Sequence, residues 1–267
     1  VCETGRCAEV ASWCVHRGEE PCISGPMGSG TVFFAHCNLA CAFCQNYQIS
    51  QEWRQGEGVK SAEELAEIYL ELQSAGVHNL NWVSPSHVVP QALEALAIAA
   101  RSGLRLPVVY NSGGYDSVET LRLLDGIFDI YMPDLKFMER DVSQKLCGAD
   151  DYPERVMEGI REMHRQVGDL KINRMGIAER GLLVRHLVMP GGLAGTRKAM
   201  RFLSQEISPN TYVNIMAQFR PCGRAKDYPP LNRRITDDEF EEAIRMAEGE
   251  GIHRLGQRTG WRAFRFL

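Results

Sequence analysis

The sequence predicts a parallel α/β fold: a partial (β/α)6 TIM-like barrel with a cysteine-containing extension at its N-terminus. Three observations lead there. Short apolar runs alternate with amphipathic helical runs about six times over roughly 225 residues, the rhythm of βα units feeding a parallel sheet. The runs read as strands are dominated by apolar residues, as burial on both faces of a parallel sheet requires. Six units also fall short of the eight that close a complete barrel.

The elements follow in order. Residues 31–35 (TVFFA) are apolar and β-branched, bounded by Gly28-Ser29-Gly30, and read as the first strand. Ser61 opens S-A-E-E, a capping box closing on Glu64. Leu65, Ile68, Tyr69 and Leu72 then recur at helical spacing, and Gly76 ends that helix. Residues 79–83 form a second strand, 90–101 a helix and 107–110 a third strand. Asp116 to Glu119 reads as another cap, opening a helix that carries Val118, Leu121 and Leu124. A fourth strand covers 128–132. Val156, Ile160, Met163 and Val167 mark one face of a longer helix. A fifth strand at 182–188 precedes a helix at 196–204, and a sixth covers 212–217. Thr236 with Glu239 caps the last strong helix, which carries Phe240, Ile244 and Ala247. Residues 1–25 are the extension, 26–252 the barrel and 253–267 a basic, aromatic tail.

Composition limits the function classes. The chain has 267 residues, a net charge of −4, 44% hydrophobic and 24% charged residues. That balance excludes a disordered or collagen-like chain, and the net charge is too small to signal a general nucleic-acid binder. No apolar run approaches the length of a transmembrane helix, so no membrane association is expected. No signal peptide is visible, although the chain starts at Val1. Nine cysteines cannot all pair. Their crowding toward the N-terminus points to a metal or redox site in a reducing, cytoplasmic compartment.

Cys37, Cys41 and Cys44 form C-x-x-x-C-x-x-C directly after the first strand. Three thiolates on one loop can hold one metal centre. A structural zinc ion would want a fourth ligand, and the nearest candidates, His36 and Cys22, complete no familiar zinc spacing. Three ligands with an open position suit a [4Fe–4S] cluster in which one iron stays free. The spacing favours the cluster over zinc or unliganded thiols. Ligands of such folds sit at the carboxyl ends of the strands.

With these motifs, the stretches GSGTVFFAHCNLACAFCQNYQIS, VVYNSGGYDSVETL, DIYMPDLKFM, LLVRHLVMPGG and YVNIMAQFRP resemble the radical S-adenosylmethionine (SAM) superfamily. Within it they look like the pyruvate formate-lyase activating enzyme-like iron–sulfur proteins of the PflX type. The resemblance runs from about Glu19 to about Gly251. It implies that Cys37, Cys41 and Cys44 ligate the cluster, with SAM chelating the fourth iron. It implies reductive cleavage of SAM to a 5′-deoxyadenosyl radical. Phe43 matches an aromatic position near the adenine. Asp134 and Lys136 match a D-L-K motif near the SAM carboxylate or ribose, with a monovalent cation near Asp134. His186 matches a SAM-contacting histidine, and Asn111 and Ser112 fall where the family also contacts SAM. Flavodoxin or ferredoxin is the implied electron donor, and the backbone glycine of a glycyl-radical enzyme the implied target. One departure is plain. Where many members carry Gly-Gly-Glu, this chain reads Ser84-Pro85-Ser86-His87, so Ser84, Ser86 and His87 are the candidates for holding the SAM amino group.

Plainer readings stand beside these. His186 is equally readable as a satisfied core histidine, Asp134 and Lys136 as a surface pair, and His87 as a loop residue. Cys147 reads as a core thiol. Cys2, Cys7, Cys14 and Cys22 match no compact metal motif, and a second metal site there is the less favoured reading. Gln218, Arg220 and Cys222 follow the sixth strand on the predicted ligand side and are candidate substrate residues. The loop 221–234 reads as a lid or docking loop. In the tail, Trp261, Phe264 and Phe266 are expected to pack on the barrel, with RNA contact as the alternative. Two further functions stay open: hydrogen abstraction from another peptide, RNA or a small metabolite, and a non-catalytic metal-binding or electron-transfer protein.

Overall fold

A computed structural model of the chain describes residues 2–256. The chain begins with β1 (Ala8–His16), α1 (Pro21–Ser24), β2 (Ser29–Phe34), α2 (Tyr47–Ser50) and β3 (Val59–Lys60). Then come α3 (Ala62–Ser74), β4 (Leu80–Val83), α4 (Val89–Arg101), β5 (Val108–Ser112), α5 (Val118–Leu123) and β6 (Ile130–Pro133). Next are α6 (Arg140–Cys147), α7 (Tyr152–Val167), β7 (Lys171–Ile172) and β8 (Ala178–Leu187). The described chain ends with α8 (Thr196–Phe202), β9 (Tyr212–Met216), α9 (Asp237–Gly249) and β10 (Arg254–Leu255).

One open sheet runs β10-β9-β8-β6-β5-β4-β2-β1-β3, with β7 attached to β8. The pairs from β2 through β4, β5, β6, β8 and β9 to β10 are all parallel. The six strands expected from the sequence are thus six neighbours in a parallel sheet, and the sheet does not close. Beyond β2, β1 pairs antiparallel with β2, and β3 with β1.

The strands are apolar because each face is covered. In one register row Val32, Trp82, Tyr110, Tyr131 and Leu182 point toward the helices. Trp82 stacks on Tyr69 of α3 at 5.7 Å and meets Phe128 edge-on at 5.2 Å. The adjacent row, Thr31, Asn81, Val109, Ile130 and Gly181, faces the concave side. There Val109 and Ile130 pack on Cys22 and Ile23 of α1. The N-terminal segment therefore runs under the concave face and floors it.

The capping boxes at Ser61 and Thr236 form, each with both reciprocal hydrogen bonds. The cap of α5 lies one residue later than expected. Ser117 accepts from the Thr120 amide, while Asp116 turns inward and takes the hydroxyls of Tyr110 (2.8 Å) and Ser112 (2.7 Å). β8 starts at Ala178, ahead of the expected 182, where it pairs with the short β7. Of the tail, Arg254–Leu255 adds to β9, and Trp261, Phe264 and Phe266 lie outside the described residues. No helix among the described residues is long and apolar enough to cross a membrane.

Trp82 is fully buried at the centre of the aromatic cluster. Trp82→Ala should cost about 3–5 kcal/mol by loss of burial and creation of a cavity. Urea unfolding checks this through the midpoint.

Candidate functional site

The carboxyl ends of the parallel strands open onto a cavity of about 230 Å³. Cys37, Cys41 and Cys44 all line it, opposite Asp134, Lys136 and Arg185. The cysteine loop leaves β2 through His36, which sits in the left-handed region (φ 64°) and is buried. His36 Nε2 pairs with Glu9 of β1 at 3.0 Å, and the residue lines the cavity beside the cysteines. Cys22, the other candidate fourth ligand, lies in the concave core beneath the cavity.

Backbone bonds shape the loop. The His36 amide donates to Ile49 O (2.7 Å) and the Ala42 amide to Leu146 O at the end of α6 (2.7 Å). Asn38 Nδ2 donates to Tyr115 O at 2.6 Å, and Gln51 Nε2 to Cys41 O at 2.9 Å. The sulfurs have polar neighbours too. The Leu39 amide donates to Cys37 Sγ at 3.5 Å, and Ser50 Oγ lies 3.2 Å from Cys44 Sγ. Burial pushes the Cys37 thiol up to about 12 and raises Cys44. The Cys41 thiol is raised by its hydrogen bond with Cys147 and by burial. Cys147, read as a core thiol, is buried and lies against a candidate ligand.

Three thiolates of one loop on one cavity wall are a donor set that an iron–sulfur cluster takes. Among the described residues, no three Cys, His, Asp or Glu side chains converge on one metal position. A [4Fe–4S] cluster gives each thiolate its own iron, so its ligands need not converge. Cys2, Cys7 and Cys14 likewise join no such group.

On the opposite wall, Asp134 follows β6 directly. Its Oδ1 accepts from Arg185 Nε at 2.8 Å and its Oδ2 from Lys136 Nζ. Burial alone would raise this carboxyl, but the charges of Arg185 and Lys136 outweigh it and hold the group below its ordinary range. Lys136 is raised in turn: burial works against its charge, and Asp134 outweighs burial. The resemblance implied a monovalent cation near Asp134; in the structure two side-chain cations of the protein bond its two oxygens. Tyr152 of α7 braces the turn, with its hydroxyl 2.7 Å from Asp134 O and 2.9 Å from Gly113 O. It also accepts from the Lys136 amide at 3.1 Å. Gly114 sits at φ 79°, and a Cβ there would lie 2.3 Å from Asp134 O, so only glycine lets the β5 loop approach this closely.

The other expected residues divide. Phe43, Ser84, Asn111, Ser112 and Gln218 line the cavity. Phe43 meets Phe137 edge-on at 5.8 Å. Ser84 takes a left-handed conformation (φ 57°) at the end of β4, where its amide donates to Asn111 O. Asn111 Oδ1 accepts from Arg185 Nη2 at 2.8 Å. Ser86 and His87 do not reach the cavity: Ser86 hydrogen-bonds Asp116, and His87 Nε2 donates to Ala35 O at 2.8 Å. Arg220 and Cys222 also stay outside. The chain after β9 turns over the outer side of the cysteine loop, where Arg224 approaches Ala40 O at 3.5 Å.

His186 requires a correction. It is fully buried on the helix side of β8, with Nδ1 donating to Leu135 O (2.7 Å) and Nε2 accepting from Thr196 Oγ1 (3.0 Å). Neighbouring strand residues face opposite sides, so its neighbour Arg185 enters the cavity instead. Arg185, Tyr152 and Cys147 were not found by motif. The one signal for Arg185 was strand parity, with the charged residue of L-L-V-R-H-L pointing to the concave side.

The chain matches the sequence profile of the Radical SAM superfamily over residues 31–180. It is 33% identical over 240 residues to an uncharacterized protein of Methanocaldococcus jannaschii, covering 88% of this chain and 65% of that one. Its fold is similar to that of a radical SAM methyltransferase from Sphaerobacter thermophilus, with TM-score 0.55 and 16% identity over 83% of this chain and 64% of that one. It is also similar to methylornithine synthase, with TM-score 0.54 and 16% identity over 82% of this chain and 62% of that one. The chain therefore spans somewhat less than two thirds of the length of these relatives.

Burial lowers His186 to about 4, against about 6.5 for an ordinary histidine. The unfolded chain then binds more protons than the folded one between these values. Stability falls as pH drops through that window, by up to about 3 kcal/mol from this group. His186→Gln, whose amide offers a donor and an acceptor to the same partners, should show a smaller stability difference between pH 7.5 and 4.5 than the wild type. Equal differences in urea titrations of the two proteins would refute the assignment.

Proposed function

The chain belongs to the radical SAM superfamily, and on that premise we propose that it cleaves SAM reductively at a [4Fe–4S] cluster held by Cys37, Cys41 and Cys44. One observation carries the reading: three cysteines of a single loop open onto the same cavity as a half-buried Asp–Lys–Arg cradle. When bound, the cluster supplies one electron to the SAM sulfonium, and the carbon–sulfur bond breaks homolytically to a 5′-deoxyadenosyl radical.

The protein's own part is binding, orientation and exclusion of water. Lys136 and Arg185 offer cations to the carboxylate of SAM, and Asp134 fixes both of them. Ser84 and Asn111 stand at the ends of β4 and β5 as polar partners for its amino group or ribose, in the place of the missing Gly-Gly-Glu. Phe43, packed on Phe137 and Phe219, gives an apolar face beside the last cysteine. The N–H and O–H groups directed at Cys37 and Cys44 bear on cluster potential, which hydrogen bonds to sulfur tune.

The finer reading is activation of a glycyl-radical enzyme by abstraction of a glycine hydrogen, with reduced flavodoxin or ferredoxin as the electron source. The D-L-K likeness at Asp134–Lys136 supports it.

Anaerobically reconstituted protein with SAM and dithionite should form 5′-deoxyadenosine. Cys41→Ala should reduce that product to background while circular dichroism keeps the α/β signature. A cluster-loaded wild type that forms none overturns the proposal. For the finer reading, a candidate partner added to the reaction should show a stable glycyl radical by electron paramagnetic resonance.

A further inference from the structure

Arg185 has three partners on three different segments. It donates from Nε to Asp134 and from Nη2 to Asn111, each at 2.8 Å, and its Nη1 lies 3.5 Å from Glu19 Oε2. Glu19 belongs to the segment that floors the concave face. Its side chain is 9% exposed, and its other oxygen accepts from Asn111 Nδ2 at 3.4 Å. Next to it, Glu20 is buried, takes Asn214 Nδ2 at 2.9 Å on one oxygen and leaves the other without a partner.

We propose that Glu19 is a positioning residue for SAM: it does not line the cavity, but through Arg185 it sets the charge and orientation that the cradle presents to the ligand's carboxylate. This rests on the SAM reading above.

The charges facing Glu19 come from every element around it. Glu20 lies beside it, Arg185 on β8 and Asp134 after β6; Asn111 on β5 is uncharged, and Lys136 stands behind Asp134. Burial and the charge of the adjacent Glu20 raise the Glu19 carboxyl to about 8. Glu19 therefore keeps its proton at neutral pH. The pair then carries one negative charge, Asp134 a second, and Arg185 and Lys136 balance both. Loss of that proton adds a negative charge to the floor. It draws Nη1 toward Glu19 and away from the plane that serves Asp134 and Asn111. A carboxylate ligand is then bound more weakly.

The test is calorimetric binding of SAM to anaerobically cluster-loaded protein between pH 6.5 and 9.5. From pH 7 to 9 the wild-type Kd should rise about tenfold more than that of Glu19→Gln, which copies the protonated acid. The amino group of SAM titrates near 7.7–8.0 as a free amine and contributes alike to both curves, so their difference is the reading. Glu20→Gln removes the charge that raises Glu19 and should move the bend to lower pH. This second variant decides the matter if Glu19→Gln does not fold. Parallel curves for wild type and Glu19→Gln, or an unshifted bend in Glu20→Gln, overturn the proposal and leave the SAM reading intact. A cluster-loaded wild type that binds no SAM at any pH overturns both.

Discussion

A carboxylate taken almost out of water must be matched by positive charge, and Asp134 organises the site around that requirement. Leaving a buried ion without its partner costs about 3–5 kcal/mol, more than most single contacts contribute. The two cations come from different places: Lys136 from the same turn and Arg185 from the neighbouring strand. The pairing therefore fixes the ends of β6 and β8 relative to each other where the cavity opens. Tyr152 and Gly114 bring the β5 loop and α7 to the same turn. The cysteine loop faces a wall held by charge, so an ionic ligand placed between them meets oriented groups on both sides.

Much of this architecture was legible in the sequence, because parallel strands and their crossover helices leave periodic marks. All six parallel strands and both capping boxes stand where the pattern of apolar residues and caps put them. The edge of the sheet was not legible. β1 pairs antiparallel and presents a largely exposed face, so it lacks the apolar run that marks a buried strand. At the site, spacing found the cysteines, which lie on one loop, while Asp134 and Lys136 came from the family resemblance. The resemblance pointed to His186, whereas the alternation of strand residues turns Arg185 to the cavity: one register step exchanges the residue in the cavity for the one in the core. Glu19, far away in sequence, left no local signal of its meeting with Arg185. Only the closing of the concave face by the N-terminal segment brings them together.

That floor also bears on what the fold can do. An open parallel sheet leaves its concave side accessible, and here α1 and its flanking residues occupy the lower part with apolar Cys22 and Ile23 and polar Glu19 and Glu20. The remaining space lies at the carboxyl ends of the strands, beside the cysteines. Ligand and reacting group are thus confined to the level where Cys37, Cys41 and Cys44 stand, and the lower half of the sheet serves stability and charge placement.

The bonds that shape the cysteine loop run to α6, to the segment after β5 and to α2. Small metal-dependent domains gain their fold from the metal and lose it to a chelator. Here the loop is tied by hydrogen bonds to three separate parts of the fold. Its shape is coupled to theirs: a displacement of the end of α6 or of the turn after β5 carries the cysteines with it.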